Sequence, residues 1–407
     1  MSRRRGSITG NKTDGYQFCV DVGRVNGKRR RTRHRGFRTR AEAQIALNEV
    51  LGHQSDGTFI QPHKDRLGVY LEEWLEAIEK TVAPSTHSSY RQKVRLHVIP
   101  HLGDMRLADL DGMSFNRLYG GLLSDGRRDG TGGLAPRTVR YIHTILHRAL
   151  KDAVRWGRLY RNPVDLADPP RQASLRDSDP STWSAGEVLE FLEHCSAEGD
   201  RYLPLWGLLA TTGMRRGESL GLRWSDLDLH AGVASIVQTV IAVDHRVEFS
   251  KPKTASGNRS INLDAETVRL LRRQKLGQTE ERLLVGSGWA NHDLVFTKPD
   301  GTPLHPERVS REFQRRIERI NRDRQDDDKL TRIRLHDLRH TWATLAMQSG
   351  IPPKVVQERL GHSRISITLD IYSHVSPGMQ QEAADLIASQ IYAVGHHLGT
   401  NSAPQSL

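Results

Sequence analysis

A proline-rich segment at residues 162–181 constrains the architecture of this chain more than any other feature. It contains Pro163, Pro169, Pro170 and Pro180 among polar and charged residues. Proline lacks a backbone N–H and has a fixed φ, so a stretch of this kind is typical of an interdomain linker. With 407 residues, the chain is long enough for two or three domains, each with its own core.

The segment before this linker has the apolar spacing of amphipathic helices. Apolar residues recur at i, i+3, i+4 and i+7 between Leu71 and Ile78, and a second helix is predicted from Ser85 to just before Pro100. The clearest pattern runs from Pro136 to Arg155, with one apolar stripe opposite a mostly basic face. Residues 66–165 are therefore predicted to form a helical domain.

Positive charge is concentrated near the N-terminus. The formal net charge is +12, and residues 1–64 hold 14 Lys and Arg against 5 Asp and Glu. A basic arm on a nearly balanced body is typical of proteins that bind nucleic acid, although a solubilising tail has the same composition. The basic face of the 136–155 helix adds Arg137 and Arg140 as candidates for DNA contact, with simple solvation of that face as the alternative.

The basic arm has the pattern of a small sheet followed by a helix. Residues Tyr16–Val22 alternate as in a half-buried strand, Asn26-Gly27 is a two-residue turn signal, and a return strand runs from Lys28 to Arg35. A capping box at Thr39 then starts a helix that carries Ile45. We expect residues 1–60 to form a three-stranded sheet plus helix. Its return strand supplies five candidate DNA-binding residues: Arg29, Arg30, Arg31, Arg33 and Arg35.

The segment after the linker mixes helices with strands. A capping box at Ser184 opens it. A β-rich part follows, with a strand over Val233–Val243, a turn at Asp244-His245, and helices again from about Asp264. Residues 175–393 are therefore predicted to form a mixed α+β domain, and residues 394–407 a disordered tail.

Several protein classes are excluded by composition. Cys19 and Cys195 lie far apart and have no metal-ligand spacing, which predicts a reducing compartment and no disulfide framework. No apolar run follows the N-terminus, and none approaches the ~20 residues that span a bilayer. A soluble, cytoplasmic protein is expected.

Two stretches of the last domain contain residues suited to phosphoryl transfer. Arg215 follows Thr212-Gly213 at the predicted start of a helix, where Glu218 lies one turn on and can support it. His336 and Arg339 share the same i, i+3 spacing. A planar guanidinium fits two non-bridging oxygens of a phosphate, and two arginines can stabilise the charge of a phosphodiester transition state.

A possible nucleophile follows these residues. Gly361 is a natural residue to end a helix, and it presents His362 immediately beyond. Tyr372 follows ten residues later. A tyrosine hydroxyl can attack phosphorus when a nearby base or positive field favours its anion. A lysine is a good proton donor to the leaving oxygen, and the β-rich part offers Lys251 or Lys253.

Together these motifs resemble those of the tyrosine recombinase (phage integrase) family, over roughly residues 180–385. The motifs that carry the resemblance are Thr212-Gly213-Met214-Arg215-Arg216-Gly217-Glu218, Pro252-Lys253-Thr254, His336-Asp337-Leu338-Arg339-His340, and Leu360-Gly361-His362 through Tyr372. The resemblance implies Arg215 and Arg339 as the phosphate clamp, Lys253 as general acid, His336 and His362 as proton-transfer or hydrogen-bonding partners, Tyr372 as nucleophile, and Glu218 as a supporting acid.

The resemblance also implies a fold and a reaction. The fold is multidomain and mainly α, with an arm-binding domain as in lambda-like integrases, a helical SAM-like core-binding domain and a mixed α+β catalytic domain. The reaction leaves a 3′-phosphotyrosine and a free 5′ hydroxyl and needs no cofactor, ATP or metal. The implied partners are double-stranded DNA at core and arm attachment sites, further copies in a tetramer, an excisionase and a DNA-bending host protein. The implied setting is a phage or mobile element in a bacterial host, with the protein associated with the nucleoid.

Three other functions are compatible with parts of this pattern. A type IB topoisomerase shares the nucleophile and the clamp, and a cellular resolvase of the Xer type shares the reaction, but the basic arm disfavours both. A DNA-binding regulator with a decayed site is disfavoured by the intact set of six residues. Serine recombination is disfavoured because Ser2 and Ser7 lie in a loose basic leader.

Overall fold

A computed structural model of the chain divides into two units, Met1–Arg176 and Asp177–Leu407. The structure describes residues 6–11, 15–25, 28–37, 39–55, 65–159, 161–171, 181–251, 257–372, 385 and 387–389. Within these ranges some side chains are not described, including those of residues 21–25, 28–36 and 370–372. The predicted turn at Asn26-Gly27, Lys253, most of the C-terminal stretch 380–392 and the tail 394–407 lie outside the described residues.

The first unit begins with an antiparallel sheet of strands β1 (Gly6–Asn11), β2 (Gly15–Val25) and β3 (Lys28–Phe37), in that order. Helix α1 (Arg40–Ser55) follows, and Glu42 N–H donates to the Thr39 hydroxyl as the capping pattern predicts. The small core contains Phe18, Val20 and Leu47. Ile45 does not belong to it: its side chain is 62% exposed, because the sheet meets the helix face that carries Ala43 and Leu47.

The described residues between 65 and 171 are mainly helical. The helices are α2 (Leu67–Ile78), α3 (Pro84–Lys93), α4 (Ile99–Leu102), α5 (Gly112–Asp125) and α6 (Pro136–Arg155). The apolar stripe of α6 is buried as expected, and it packs in one core with α2 and α5. The Tyr70 hydroxyl donates to the Ala149 carbonyl at 2.6 Å, which joins α2 to α6.

The predicted end of the second helix before Pro100 was wrong. A π-helical turn over Val94–Val98 continues α3, and α4 follows without a break. Pro100 lies in the first turn of α4, where a missing backbone N–H costs no hydrogen bond. The wider π turn is the local irregularity that accommodates the proline ring.

The second unit is built around a nearly fully buried helix, α8 (Leu203–Thr212). The other helices are α7 (Ala185–Ala197), α9 (Arg216–Leu220), α10 (Ala265–Val285), α11 (Pro306–Ile320), α12 (Asp337–Gln348), α13 (Pro353–Leu360) and α14 (Ile365–Tyr372). The core contains four aromatic rings that meet in tilted and edge-to-face pairs: Trp183, Phe191, Trp206 and Phe313. The capping box at Ser184 is present, with Ser184 and Glu187 bonded reciprocally.

The strands of the second unit form two sheets. Strands β4 (Leu227–Asp228), β5 (Val233–Ile236) and β8 (Arg259–Asn262) make one, and β6 (Thr239–Val243) pairs with β7 (Arg246–Ser250) in the other. The continuous strand predicted over Val233–Val243 is therefore two strands in different sheets. The break is at Val237-Gln238, where the Gln238 side-chain amide donates to the Gly221 carbonyl at 2.8 Å.

The predicted turn at Asp244-His245 is present between β6 and β7. Both residues have positive φ, 47° and 64°, as a two-residue hairpin turn of the primed type requires. Among the described residues, no helix is long and apolar enough to cross a membrane.

Candidate active site

The site begins where α8 ends at Gly213. This residue has φ +65°, a conformation that glycine adopts without steric cost. A Cβ at this position would lie 2.7 Å from Leu360 Cδ2 and 3.1 Å from Trp342 Cε3. Glycine therefore reverses the chain and also lets it pass close to α12 and α13, which brings Arg215 toward the end of α13.

Arg215 precedes the first residue of α9 and is paired with Glu218. The Glu218 carboxylate accepts the Arg215 backbone N–H at 2.9 Å and its Nη1 at 2.7 Å. Arg215 Nη2 donates to the Gly361 carbonyl at 3.1 Å, so its guanidinium spans α9 and the end of α13. Arg216 points elsewhere, as its position in the sequence indicates, and donates to the Ser310 hydroxyl at 2.5 Å.

Glu218 is held by a second arginine, which the sequence analysis did not select as a site residue. Arg259 Nη2 and Nη1 donate to the two carboxylate oxygens at 2.9 and 3.2 Å. Burial alone would raise the pKa of Glu218, but the hydrogen bonds and charge of Arg259 and then of Arg215 outweigh it, so this pKa lies below its usual value. Glu218 is 4% exposed and stays ionised.

Arg339 lies in the first turn of α12 and is almost completely buried. Its Nη1 donates to the Gly213 carbonyl at 2.8 Å and its Nη2 to the Leu360 carbonyl at 2.7 Å. Burial, and then the positive charge of Arg215, lower the pKa of Arg339 to about 9. Because Arg339 and Arg215 bond to the consecutive carbonyls of Leu360 and Gly361, their guanidinium groups lie side by side.

Both arginines keep hydrogen-bonding capacity for a ligand. A guanidinium has five N–H donors. Within the described part of the chain, Arg215 and Arg339 each use two of theirs. Arg215 and Arg259 both pair with the Glu218 carboxylate, whose negative charge also acts on Arg339. The arrangement therefore carries excess positive charge and unmet donors, which an anion with several oxygens would satisfy.

Two histidines lie beside the arginines, and both are held neutral. The His336 side chain is exposed, yet the protein atoms packed around its ring, and then His340 and Arg339, lower its pKa to about 4. Its ring meets the His340 ring edge-on, with centroids 5.4 Å apart. A neutral imidazole can accept a proton or share a hydrogen bond at pH 7.

His362 directly follows the glycine that ends α13, as predicted from Leu-Gly-His. Gly361 has φ +67°, and the His362 side chain is 8% exposed. Its Nδ1 lies 2.9 Å from the hydroxyl of Thr368 in α14. Burial, followed by the charges of Arg339 and Arg215, lowers the pKa of His362 to about 4.

Tyr372 is the last residue of α14, one helical turn beyond Thr368. Thr368 is fully buried and bonded to His362, so the helix that ends in Tyr372 is tied to the arginine pair. The Tyr372 side chain is not among those described. Lys253 lies outside the described residues, between the end of β7 at Ser250 and the start of β8 at Arg259. Lys251 is described and exposed.

The candidate DNA-binding residues of the first unit are only partly described. Arg29, Arg30, Arg31, Arg33 and Arg35 all lie on β3, whose backbone pairs with β2. Arg137 is exposed in the first turn of α6. Arg140 is half-buried and donates to the Pro170 carbonyl at 2.7 Å, which ties the end of the unit to α6. A DNA contact for any of the seven stays a prediction. Among the described residues, no group of three or more His, Cys, Asp and Glu side chains could hold a metal ion.

Comparison with known families divides the chain into three matched segments. The model of the phage integrase family matches residues 184–379. The model of an arm DNA-binding domain matches residues 7–53, and that of the phage integrase N-terminal SAM-like domain matches residues 67–119.

Relatives match over nearly the whole length. A protein of Caldanaerobacter subterraneus named tyrosine recombinase XerC-like is 26% identical over 390 residues, which cover 91% of this chain and 95% of that protein. An integrase of Streptomyces ambofaciens is 28% identical over 367 residues, 88% of this chain and 89% of the relative.

Solved structures share the fold. The Tn1549 transposon integrase, in complex with a circular intermediate DNA, matches with a TM-score of 0.64 at 19% identity and covers 78% of this chain and 99% of its own. Lambda integrase, in a tetramer bound to a Holliday junction, matches with a TM-score of 0.55 at 17% identity, over 89% of this chain and 94% of its own.

Proposed function

This chain belongs to the phage integrase family of tyrosine recombinases, and we propose that it cleaves and rejoins double-stranded DNA at specific sites through a phosphotyrosine formed on Tyr372. The observation that carries the proposal is the arginine pair. Arg215 and Arg339 are anchored on consecutive carbonyls and leave unmet N–H donors beside the helix that ends in Tyr372.

The arginine pair suits the charge of the reaction. In the transition state of a phosphodiester exchange, negative charge grows on the non-bridging oxygens. Donors that are already fixed need no rearrangement when this charge develops, and their low-dielectric surroundings strengthen the interaction. Arg339 is held by two carbonyls and Arg215 by Glu218 and a carbonyl, so both are pre-organised.

The proposed first step forms one ester and breaks another. The Tyr372 oxygen attacks phosphorus, the bond from phosphorus to the 5′ oxygen breaks, and a 3′-phosphotyrosine and a 5′ hydroxyl result. His336 and His362 are neutral at pH 7 because their pKa values lie near 4, so each can hydrogen-bond a phosphoryl oxygen or the Tyr372 hydroxyl as its proton leaves. Lys253 is proposed to donate the proton to the leaving 5′ oxygen.

The second step is the reverse reaction with a different strand. A 5′ hydroxyl from another duplex attacks the phosphotyrosine and releases Tyr372. One phosphate ester replaces another at each step, so no nucleotide hydrolysis is required to drive the exchange. Pairing of two duplexes calls for several copies of the chain, and we propose a tetramer at synapsis.

The first unit supports an integrase rather than a type IB topoisomerase or an Xer-type resolvase. Its sheet and helix match the arm DNA-binding family over residues 7–53. We propose that this domain binds arm sites and the SAM-like domain binds core sites, in the integration and excision of a phage or mobile element in the bacterial cytoplasm and nucleoid. An excisionase and a DNA-bending host protein would then set the direction of the reaction.

A covalent-trapping assay tests the proposal. The substrate is a duplex with the core site found in the direct repeats that flank the element, nicked beside the cleavage position so that cleavage becomes irreversible. Wild-type protein should give a protein–DNA adduct on a denaturing gel. Tyr372→Phe should give none and yet bind the same DNA with nearly unchanged Kd, because only one hydroxyl is lost. An adduct that persists in Tyr372→Phe contradicts the assignment.

A further inference from the structure

Arg259 contacts Glu218 and the end of α13, the two parts of the site that bond to the Arg215 guanidinium. We propose that Arg259 is a positioning residue for the recombination reaction: it fixes Glu218 and the end of α13, and so aims the Arg215 guanidinium at the phosphate. The inference rests on the function proposed above and adds to the site a residue outside the six main positions.

The first support of Arg215 is Glu218, with which Arg259 forms a bidentate ion pair. Its Nη1 and Nη2 each reach one carboxylate oxygen, at 3.2 and 2.9 Å. The same two oxygens receive the Nη1 and the backbone N–H of Arg215. A bidentate pair fixes the rotation of a carboxylate, which a single contact does not. Arg259 therefore sets the orientation in which Glu218 meets Arg215.

The second support is the carbonyl of Gly361, which accepts Arg215 Nη2. Arg259 Nε donates to the carbonyl of Arg359 at 2.7 Å, two residues earlier in the chain. The last carbonyls of a helix lack intrahelical partners, so a side-chain donor there fixes the helix end. Arg259 thus bonds directly to Glu218 and, through the Arg359 carbonyl, fixes the helix end that carries Gly361.

Arg259 itself is unsuited to bind the phosphate. Arg339 is as buried as Arg259, so the two residues differ in the N–H donors that remain and not in exposure. The Nε, Nη1 and Nη2 of Arg259 all donate to protein acceptors, namely Glu218 and the carbonyls of Arg359 and Gly257. Arg215 and Arg339 keep N–H donors for the phosphate, whereas Arg259 uses its donors to fix the protein groups around them.

The test compares Arg259→Gln with a matched control, Arg316→Gln. Arg316 also forms a two-oxygen pair with a buried carboxylate, Asp200, at 3.0 and 3.2 Å, and this pair has no bond to the arginine clamp. Arg259→Lys serves as a second variant, because it keeps the charge and removes the fork. The readout is the initial rate of strand cleavage on the nicked duplex at saturating protein.

A second substrate separates positioning from folding. In it the scissile phosphate is a methylphosphonate, which lacks the negative charge that the arginines neutralise. Since a displacement of about 1 Å can cost about 100-fold in rate, we expect Arg259→Gln to cleave the ordinary phosphodiester about 100-fold more slowly than wild type. On the methylphosphonate the deficit should shrink below about 10-fold, because less charge needs to be stabilised. Arg259→Lys should show an intermediate deficit with the same dependence on substrate.

The outcomes are distinct. Equal deficits on both substrates, or a deficit in Arg259→Gln no larger than in Arg316→Gln, overturn the positioning role. If Arg259→Gln fails to fold, Arg259→Lys decides by the same comparison of substrates. Absence of any covalent adduct with wild-type protein would instead overturn the proposed function itself.

Discussion

At the scale of single residues, the site keeps some of its titratable groups charged and others neutral. Glu218 is buried and ionised between two arginines, whereas the buried His362 and the more exposed His336 lie beside arginines and have lowered pKa values. The arrangement keeps positive charge on the guanidinium groups, where a phosphate binds, and away from the imidazoles, which can then accept a proton. The pH dependence of stability tests this separation of charge.

We predict that His362 makes the protein acid-sensitive. Its pKa is about 4 in the folded protein, below the ordinary value near 6.5, so the unfolded state binds the proton first. Its contribution to stability is complete above pH 6.5 and is lost as the pH falls toward 4, by up to about 1.4 kcal/mol per pH unit. The thermal unfolding midpoint of wild type should therefore fall more steeply between pH 6.5 and 4.5 than that of His362→Asn. Parallel curves would show that the imidazole is not held neutral.

Sequence alone indicated these positions and the local pair of Arg215 with Glu218, but not the partners that lie far away in the chain. Thr-Gly-x-Arg, His-x-x-Arg and Leu-Gly-His are local patterns, and local spacing gave the correct helix starts and ends around Arg215, Arg339 and His362. Arg259 was missed because its role depends on contacts with Glu218 and Arg359, 41 and 100 residues away. The basic sequence just before Arg259 gave the only signal, and that signal pointed to Lys251 and Lys253.

At the scale of elements, two helix ends assemble the clamp. Helices α8 and α13 end in left-handed glycines, Gly213 and Gly361, and the carbonyls at these ends anchor Arg339 and Arg215. Both glycines were recognisable as helix stops. Two irregularities were not predicted: the break at Gln238 comes with a bond to Gly221, 17 residues earlier, and the π turn over Val94–Val98 lets the helix continue to Pro100 and beyond.

We predict that Gly213→Ala damages both stability and activity. The change adds strain at positive φ and a Cβ 2.7 Å from Leu360, and it disturbs the carbonyl that holds Arg339. Gly199→Ala is the matched control, since its φ is +62° and a Cβ there meets nothing within 4 Å. Gly213→Ala should lose about 1–3 kcal/mol more stability than the control, and its cleavage should slow about 100-fold. Equal losses in the two variants would show that close packing at Gly213 is unimportant. Thermal unfolding measures the stability of each variant. The initial rate on the nicked duplex measures its cleavage.

At the scale of the whole molecule, charge and chemistry are separated along the chain. The first 64 residues carry an excess of nine positive charges, and the candidate catalytic residues all lie beyond residue 210. This division was predictable from composition and from the proline-rich segment after α6. Residues 252–256 fall outside the described residues, so the role of Lys253 stays a prediction.

We predict that deleting residues 1–60 separates cleavage from recombination. Cleavage of a short core substrate should stay largely intact, while recombination between full attachment sites should collapse, since no copy could then bridge core and arm DNA. The isolated segment should bind arm DNA with an affinity that falls steeply with salt, as phosphate contacts release counterions. Footprinting of the segment on attachment-site DNA is the check. Uniform protection with no preferred site would leave only a non-specific basic tail.

The central claim, that Tyr372 carries the DNA, is tested most directly by mapping the covalent adduct. The trapped complex is digested with nuclease and protease, and the modified peptide is sequenced by mass spectrometry. No Lys or Arg follows Arg364, so a tryptic peptide holds both Tyr372 and Tyr392, and its fragment ions must distinguish them. We expect a nucleotide joined through its 3′ phosphate to Tyr372. A nucleotide on another residue, or one joined through a 5′ phosphate, would contradict the claim.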